Sequence, residues 1–271
     1  MSIHPFTISV LVALIWGSLP ALAQEQTSHR FISLNTEYAN LHFVELNSQG
    51  EPRLEEKGGM MFVGAGAYWQ LSSGLFAEFS YRRATDTLDY RGLSQLGRFI
   101  ETQTELYIQE GSFLLGRNFG RTAAFLGIGS HYRERNILGV GDVRGLYEEL
   151  NMTNAIFGMR GNLFPTKRLQ VRLEARVWTD IDSSLYASST QYDASSFTPG
   201  KSFSYRTSAE FLFDLVGGLT VSLIPAYEYT RMDKSKEYPV YQNGNPLYLN
   251  QHQPKTEWEA YSLTGKLSWH F

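Results

Sequence analysis

The sequence contains no cysteine. That excludes disulfides, thiolate metal sites and a cysteine nucleophile. There is no basic excess either: 24 Lys and Arg stand against 27 Asp and Glu, a formal net charge of -3. A nucleic-acid partner, which needs a basic stripe, is not expected. No metal-ligand spacing of histidine and carboxylate occurs, and His42, His252 and His270 are scattered over unrelated segments. No glycine loop of phosphate-binding form is present. Gly64-Ala65-Gly66 and Gly127-Ile128-Gly129 fall inside strand-like segments, where glycine marks close packing or curvature. No cofactor is expected. After Gln24 no segment approaches the roughly 18 consecutive apolar residues of a membrane-spanning helix. Any membrane insertion there must use strands.

What is present begins with a leader. Ile8 to Trp16 is an apolar run, and Ala21-Leu22-Ala23 follows as an Ala-x-Ala cleavage site before Gln24. This is the pattern of a secretory signal peptide over residues 1–23, with a barrel domain over 24–271. The leader's first residues carry no Lys or Arg, only His4.

After Gln24 a unit repeats roughly every fifty residues: strand, long polar loop, strand, very short turn. The short turns are Ser72-Ser73-Gly74, Asn118-Phe119-Gly120, Pro165 to Arg168, and Val216-Gly217-Gly218. The polar stretches are Asn47 to Lys57, Asp86 to Ile100, Asn136 to Gly145, Asp182 to Lys201 and Met232 to Lys255. About ten strands result, near 30–45, 58–71, 75–86, 102–117, 122–135, 147–164, 169–182, 202–215, 219–231 and 256–271. The seventh shows the period of two plainly. Leu169, Val171, Leu173, Ala175 and Val177 face one way, and Gln170, Arg172, Glu174 and Arg176 the other. The fourth carries apolar residues on both faces, and its register is open. Pro225, in the ninth, removes a ladder donor and predicts a local bulge. Trp69, Phe164, Leu219 and Trp269 lie near the short turns. Tyr38, Tyr81, Tyr132, Tyr227 and Tyr229 lie nearer the loops, and both sets suit interfacial girdles.

The last strand, Tyr261 to Phe271, places Tyr261, Leu263, Gly265, Leu267, Trp269 and Phe271 on one face. It resembles the closing strand of bacterial outer-membrane β-barrels. The resemblance implies an all-β, transmembrane, antiparallel up-and-down β-barrel with short periplasmic turns and long extracellular loops. It also implies an outer-membrane location among lipid and lipopolysaccharide, and that Phe271 is part of the signal read by the outer-membrane assembly machinery.

The charges on the inward face are the first functional candidates: Glu37, Glu78, Arg82, Arg133, Arg135, Arg160, Arg172, Glu174, Arg176, Asp180, Arg206, Glu210, Asp214, Glu228 and Lys266. In a narrow barrel they must pair or stay hydrated. A salt-bridged plug and a narrow charge-lined pore are both open. His131 follows Ser130, but neighbours on a strand face opposite ways, so the two cannot act as base and nucleophile. The loops Ser183 to Ser196 and Tyr238 to Asn250 are rich in Tyr, Ser and Asn, a composition suited to contact with an extracellular ligand.

Four rim acids complete the set. Asp86 and Asp89 end the third strand, and Asp180 and Asp182 end the seventh. The ten-strand layout and these rim acids are similar to the omptin family of outer-membrane proteases. There an aspartate pair faces an Asp-x-His pair, with water as nucleophile. Here the first pair is Asp86-x-x-Asp89, and Asp182 stands where the family has histidine. The His-x-Ser pattern of outer-membrane phospholipases is absent. Two readings remain: a non-enzymatic barrel (structural, adhesin-like or a narrow porin), and an omptin-like enzyme with Asp86, Asp89, Asp180 and Asp182 at its site.

Overall fold

In the computed structural model of the chain, residues 30–72, 74–93, 97–163, 169–189 and 193–271 are described. The leader of residues 1–23, the turn at 165–168 and Phe164 lie outside them. Alternating apolar and polar residues yield β1 (Arg30–Leu46), β2 (Pro52–Ser72), β3 (Leu75–Leu93), β4 (Phe99–Phe119), β5 (Thr122–Ile137), β6 (Leu146–Leu163) and β7 (Leu169–Ser189). A short β8 (Ser195–Phe197) precedes β9 (Ser202–Asp214) and β10 (Leu219–Met232). A hairpin, β11 (Tyr238–Gln242) and β12 (Asn245–Gln251), leads to β13 (Lys255–His270).

Pairing is antiparallel throughout. It runs β1 to β7 in order, then β7–β9, β9–β10, β10–β13 and β13–β1. The ladder closes on itself as a ten-strand barrel, which leaves no free edge. The short β8 continues the β7 ladder beyond β9 at Leu185–Ala187.

The outward face carries an apolar belt. Leu34, Met61, Val63, Phe79, Phe113, Leu126, Phe157, Phe213, Leu223 and Leu267 are all exposed large hydrophobics. Trp69, Phe119, Trp269 and Phe271 bound it at the turn end, and Tyr38 and Tyr261 at the loop end. A soluble protein has no use for such a belt; a bilayer requires it. Leu223 pairs with Gly265, midway between Leu219 and Tyr227 on β10. Leu223→Arg is expected to cost about 2–4 kcal/mol in vesicle-reconstituted unfolding, as for a cation at the bilayer midplane. The same change at exposed Val140, above the belt, is expected to be near neutral.

The strands differ from the sequence reading in three places. First, β2, β3 and β7 extend well into segments that read as loops. They keep inward apolar residues, Leu54, Leu88, Tyr90 and Leu185, all buried. Outside the bilayer the outward face need not be apolar, so polarity there does not mean loop. Second, β4 takes the register with Leu106, Ile108 and Leu114 buried inward and Phe113 and Leu115 exposed outward. Third, Pro225 makes no bulge. Leu223 pairs with Phe211 and Ala226 with Ser208 in one continuous register, and only the local β9 pairing is lost. The missing N–H removes a bond without shifting the strand. A register shift occurs instead on β7, between Thr153 and Asn154 of its partner.

Candidate functional site: the lumen and its mouth

The inward charges form layers. The layer nearest the turns centres on Arg160, whose Nη2 lies 2.7 Å from Glu78 and 3.0 Å from Glu174. Arg176 also pairs with Glu174. Arg172 reaches Glu210 at 3.2 Å, and Lys266 shares that carboxylate. Beneath these charges Phe31 stacks on Tyr68 at 5.1 Å and Tyr68 on Phe76 at 5.3 Å. Arg160 lies over the Phe76 and Phe125 rings at 5.3 and 4.9 Å.

The second layer joins strands that are far apart in sequence. Arg82 donates from Nη1 to Glu37 at 2.8 Å, from Nη2 to Glu228 at 3.2 Å, and from Nε to Glu110. Arg206 bonds the same two acids, Glu228 at 3.2 Å and Glu37 at 3.3 Å. His131 Nδ1 lies 2.9 Å from Glu110. A cavity of about 260 Å³ lies against both layers and also touches Asn154 and Trp178.

Above this hub part of the lumen wall is apolar, while Arg133, beside Ile108, and Ser202 and Ser204 on β9 are buried polar groups at that height. Leu41, Met60, Phe62, Leu88, Leu106 and Ile108 form one buried cluster. Across the barrel Leu150, Met152, Leu185 and Met232 form another.

A third charged cluster stands above the apolar level, outside the bilayer. Arg135 is 2% exposed and donates to three carboxylates: Glu56 at 2.9 Å, Glu45 at 3.0 Å and Glu148 at 2.7 Å. Thr104 donates to Glu56 at 2.7 Å. Arg133, buried one pair below, has no ion pair among the described residues and lies over the Phe43 and Trp258 rings at 5.3 and 5.8 Å. Burial pushes the Glu45 carboxyl up from its ordinary value. The Glu148 and Glu56 charges push the same way, against the pull of Arg135. Burial also pushes the Tyr90 phenol up to about 12. Over this cluster opens a second cavity of about 370 Å³, with Glu45, Leu54, Tyr90, Glu148, Leu185 and Tyr238 among its walls. The two cavities share no lining residue.

The rim acids do not converge. Among the described residues Asp86 accepts only from the neighbouring Thr87 N–H, at 2.9 Å. Asp89 is exposed and, three residues on, faces the opposite side of the strand. Asp180 is buried and tied to β9: the Ser202 N–H donates to it at 2.6 Å, with Ser202 Oγ at 3.2 Å and Lys201 at 3.2 Å. Asp182 is exposed. The extra residue Ile181 in the β6–β7 ladder turns Asp182 away from the side that Asp180 occupies. Among the described residues no His, Cys, Asp and Glu group has the form of a metal site. Sequence reasoning missed Glu45, Glu56 and Glu148. The inward alternation Leu54, Glu56, Gly58, Met60, Phe62 was the signal for Glu56.

No family model and no curated protein sequence matches this chain. Solved structures do. The outer-membrane protease OmpT from Escherichia coli superposes with a TM-score of 0.54 at 12% identity, over 93% of this chain and 99% of that one. The translocator domain of the autotransporter NalP from Neisseria meningitidis matches at 8% identity and a TM-score of 0.47, over 98% of this chain and 94% of that one. The likeness is one of fold. With the closed ladder and the apolar belt, the likeness to OmpT gives the chain the fold of an outer-membrane β-barrel.

Proposed function

We propose that this chain is a closed, non-enzymatic outer-membrane barrel whose extracellular wall and loops make contacts outside the cell. One observation carries this reading: the two lumen cavities share no lining residue. Packed, buried side chains stand between them, Met60 and Ile108 with no exposed surface and Arg133, beside Ile108, also buried. A hydrated path for solutes would need water-exposed side chains at that level, and the polar ones there, Arg133, Ser202 and Ser204, are buried. The dispersal of Asp86, Asp89, Asp180 and Asp182 supports the non-enzymatic half of the reading, since water activation needs converging groups. Outer-membrane lipid, the assembly machinery reading Phe271, and an extracellular ligand at the loops are the partners this reading entails.

Planar-bilayer conductance of the refolded chain is the test, with heat-modifiable gel mobility reporting the folded barrel. No stable current steps are expected from folded protein. Uniform ohmic steps would overturn the closed reading and favour a narrow pore.

A further inference from the structure

The apolar belt has two edges, and the charges beside them differ. At the loop end exposed cations stand against acids. Lys57 lies 2.6 Å from Glu55, Arg91 3.2 Å from Glu101 and Arg231 2.8 Å from Asp233. At the turn end the exposed cations are Arg30, Arg117 and Arg121, and none of them forms an ion pair among the described residues. Arg30 and Arg117 face outward, in phase with the exposed Ile32 and Leu115 of their own strands. Arg121 stands in the β4–β5 turn. The acids nearest that edge belong to the lumen face. Glu78 pairs with Arg160 at 2.7 Å, and Asp214 accepts from the buried Thr220 at 3.1 Å.

Each arginine also has an aromatic anchor beside it. Arg30 is opposite Trp69 on β2, and on its other side its carbonyl accepts from the Phe271 N–H at 3.0 Å. The Arg117 guanidinium lies 5.7 Å from the centre of the Phe119 ring, and Arg121 follows two residues later. Trp69, Phe119 and Phe271 are all exposed. Such rings settle where hydrocarbon meets headgroups, which puts the guanidinium groups at the height of the phosphates. The planar fork of arginine meets a phosphate with two parallel hydrogen bonds.

We infer that the turn-end rim of the outer wall binds anionic phospholipid, its phosphate held by Arg117 and Arg121 beside Phe119 and by Arg30 between Trp69 and Phe271. The rim offers positive charge that the fold leaves unpaired, and the bilayer that covers the belt offers the complement. The inference rests on the wall standing in a bilayer and not on the lumen being closed.

The test offers the refolded chain, in a nonionic detergent, equal amounts of phosphatidylglycerol and phosphatidylcholine with the same acyl chains. Native mass spectrometry counts the lipid retained. Phosphatidylglycerol is expected to be preferred by at least about fivefold, the worth of one arginine at an anionic surface. Arg30→Gln with Arg117→Gln and Arg121→Gln is expected to bring the two lipids to parity. Arg91→Gln, which breaks a loop-end pair, and Arg83→Gln, which removes an exposed arginine nearer the loops, are expected to leave the preference unchanged. A second measurement needs no variant. Phosphatidylglycerol brominated in its acyl chains is expected to quench tryptophan in phosphatidylcholine vesicles more than the same fraction of brominated phosphatidylcholine does. Trp69 and Trp269 are exposed on the outer wall, whereas Trp178 and Trp258 pack in the lumen. Equal retention of both lipids by heat-modifiable protein, or equal quenching, overturns the inference. So does a folded triple variant that keeps the preference, or an Arg83 variant that loses it as fully as the triple one. Current steps in the conductance experiment would overturn the closed-barrel reading alone.

Discussion

Arg135→Met is expected to destabilise the barrel by about 3–5 kcal/mol, as removal of one partner from a buried ion cluster does. The side chain is 2% exposed and is the shared donor of Glu45, Glu56 and Glu148. Without it three carboxylates stand together with no paired cation. Thr104 still serves Glu56, but a hydroxyl donor does not offset a charge. Urea unfolding in vesicles, followed by tryptophan fluorescence, measures the loss. A change under about 1 kcal/mol would mean that the cluster is solvated and not buried.

The same cluster gives an opposite sign at Glu45. Its carboxyl titrates above the ordinary value because burial, then Glu148 and Glu56, disfavour the charge more than Arg135 favours it. Between the unfolded value and the raised folded value the native state holds more protons than the unfolded one. This group's contribution to stability is therefore fully present below the unfolded pKa and is lost as pH rises through the folded pKa. Glu45→Gln, which keeps an acceptor for Arg135, is expected to raise stability at neutral pH and to have little effect at pH 4. Unfolding midpoints at both pH values decide it, and a variant that is less stable at neutral pH would contradict the upward push on Glu45.

How much of this is written in the sequence depends on which pairing is asked about. The strand wall is legible wherever the bilayer imposes an apolar outward face, as along Leu169 to Val177 and along the closing strand. It fades above the belt. There Glu56 and Leu88 alternate as strand residues do, but their outward neighbours are polar or charged. Partners across the lumen are not legible at all. Glu37 meets Arg206 from strands separated by most of the chain, and only the tilt and stagger of the closed barrel bring them to one height. The rim acids show both limits. The spacing of Asp86 and Asp89 already separates their faces. The spacing of Asp180 and Asp182 suggests a shared face, and one inserted residue in the ladder undoes it.

The hub in the bilayer span separates the two ways of holding the lumen shut. Arg82→Met leaves Glu37 and Glu228 with Arg206, and Glu110 with His131. Its expected cost is about 2–3 kcal/mol, at or below the lower end for a buried pair. Arg206→Met leaves the same acids with Arg82 and is expected to cost less. Together the changes strip Glu37 and Glu228 of every arginine. The double variant is expected to exceed the sum of the singles by about 1–2 kcal/mol, the coupling typical of groups with shared partners. Additive costs would mean that the two arginines act separately. Conductance gives the second readout. The apolar level of Met60, Leu88 and Ile108 lies above the hub and is untouched by either change, so the folded double variant is expected to stay silent. Leu88→Ser with Ile108→Ser wets that level and is expected to admit current while the ion hub remains intact. If the arginine variants conduct and the serine variant does not, the salt bridges seal the barrel, and the apolar level is packing alone.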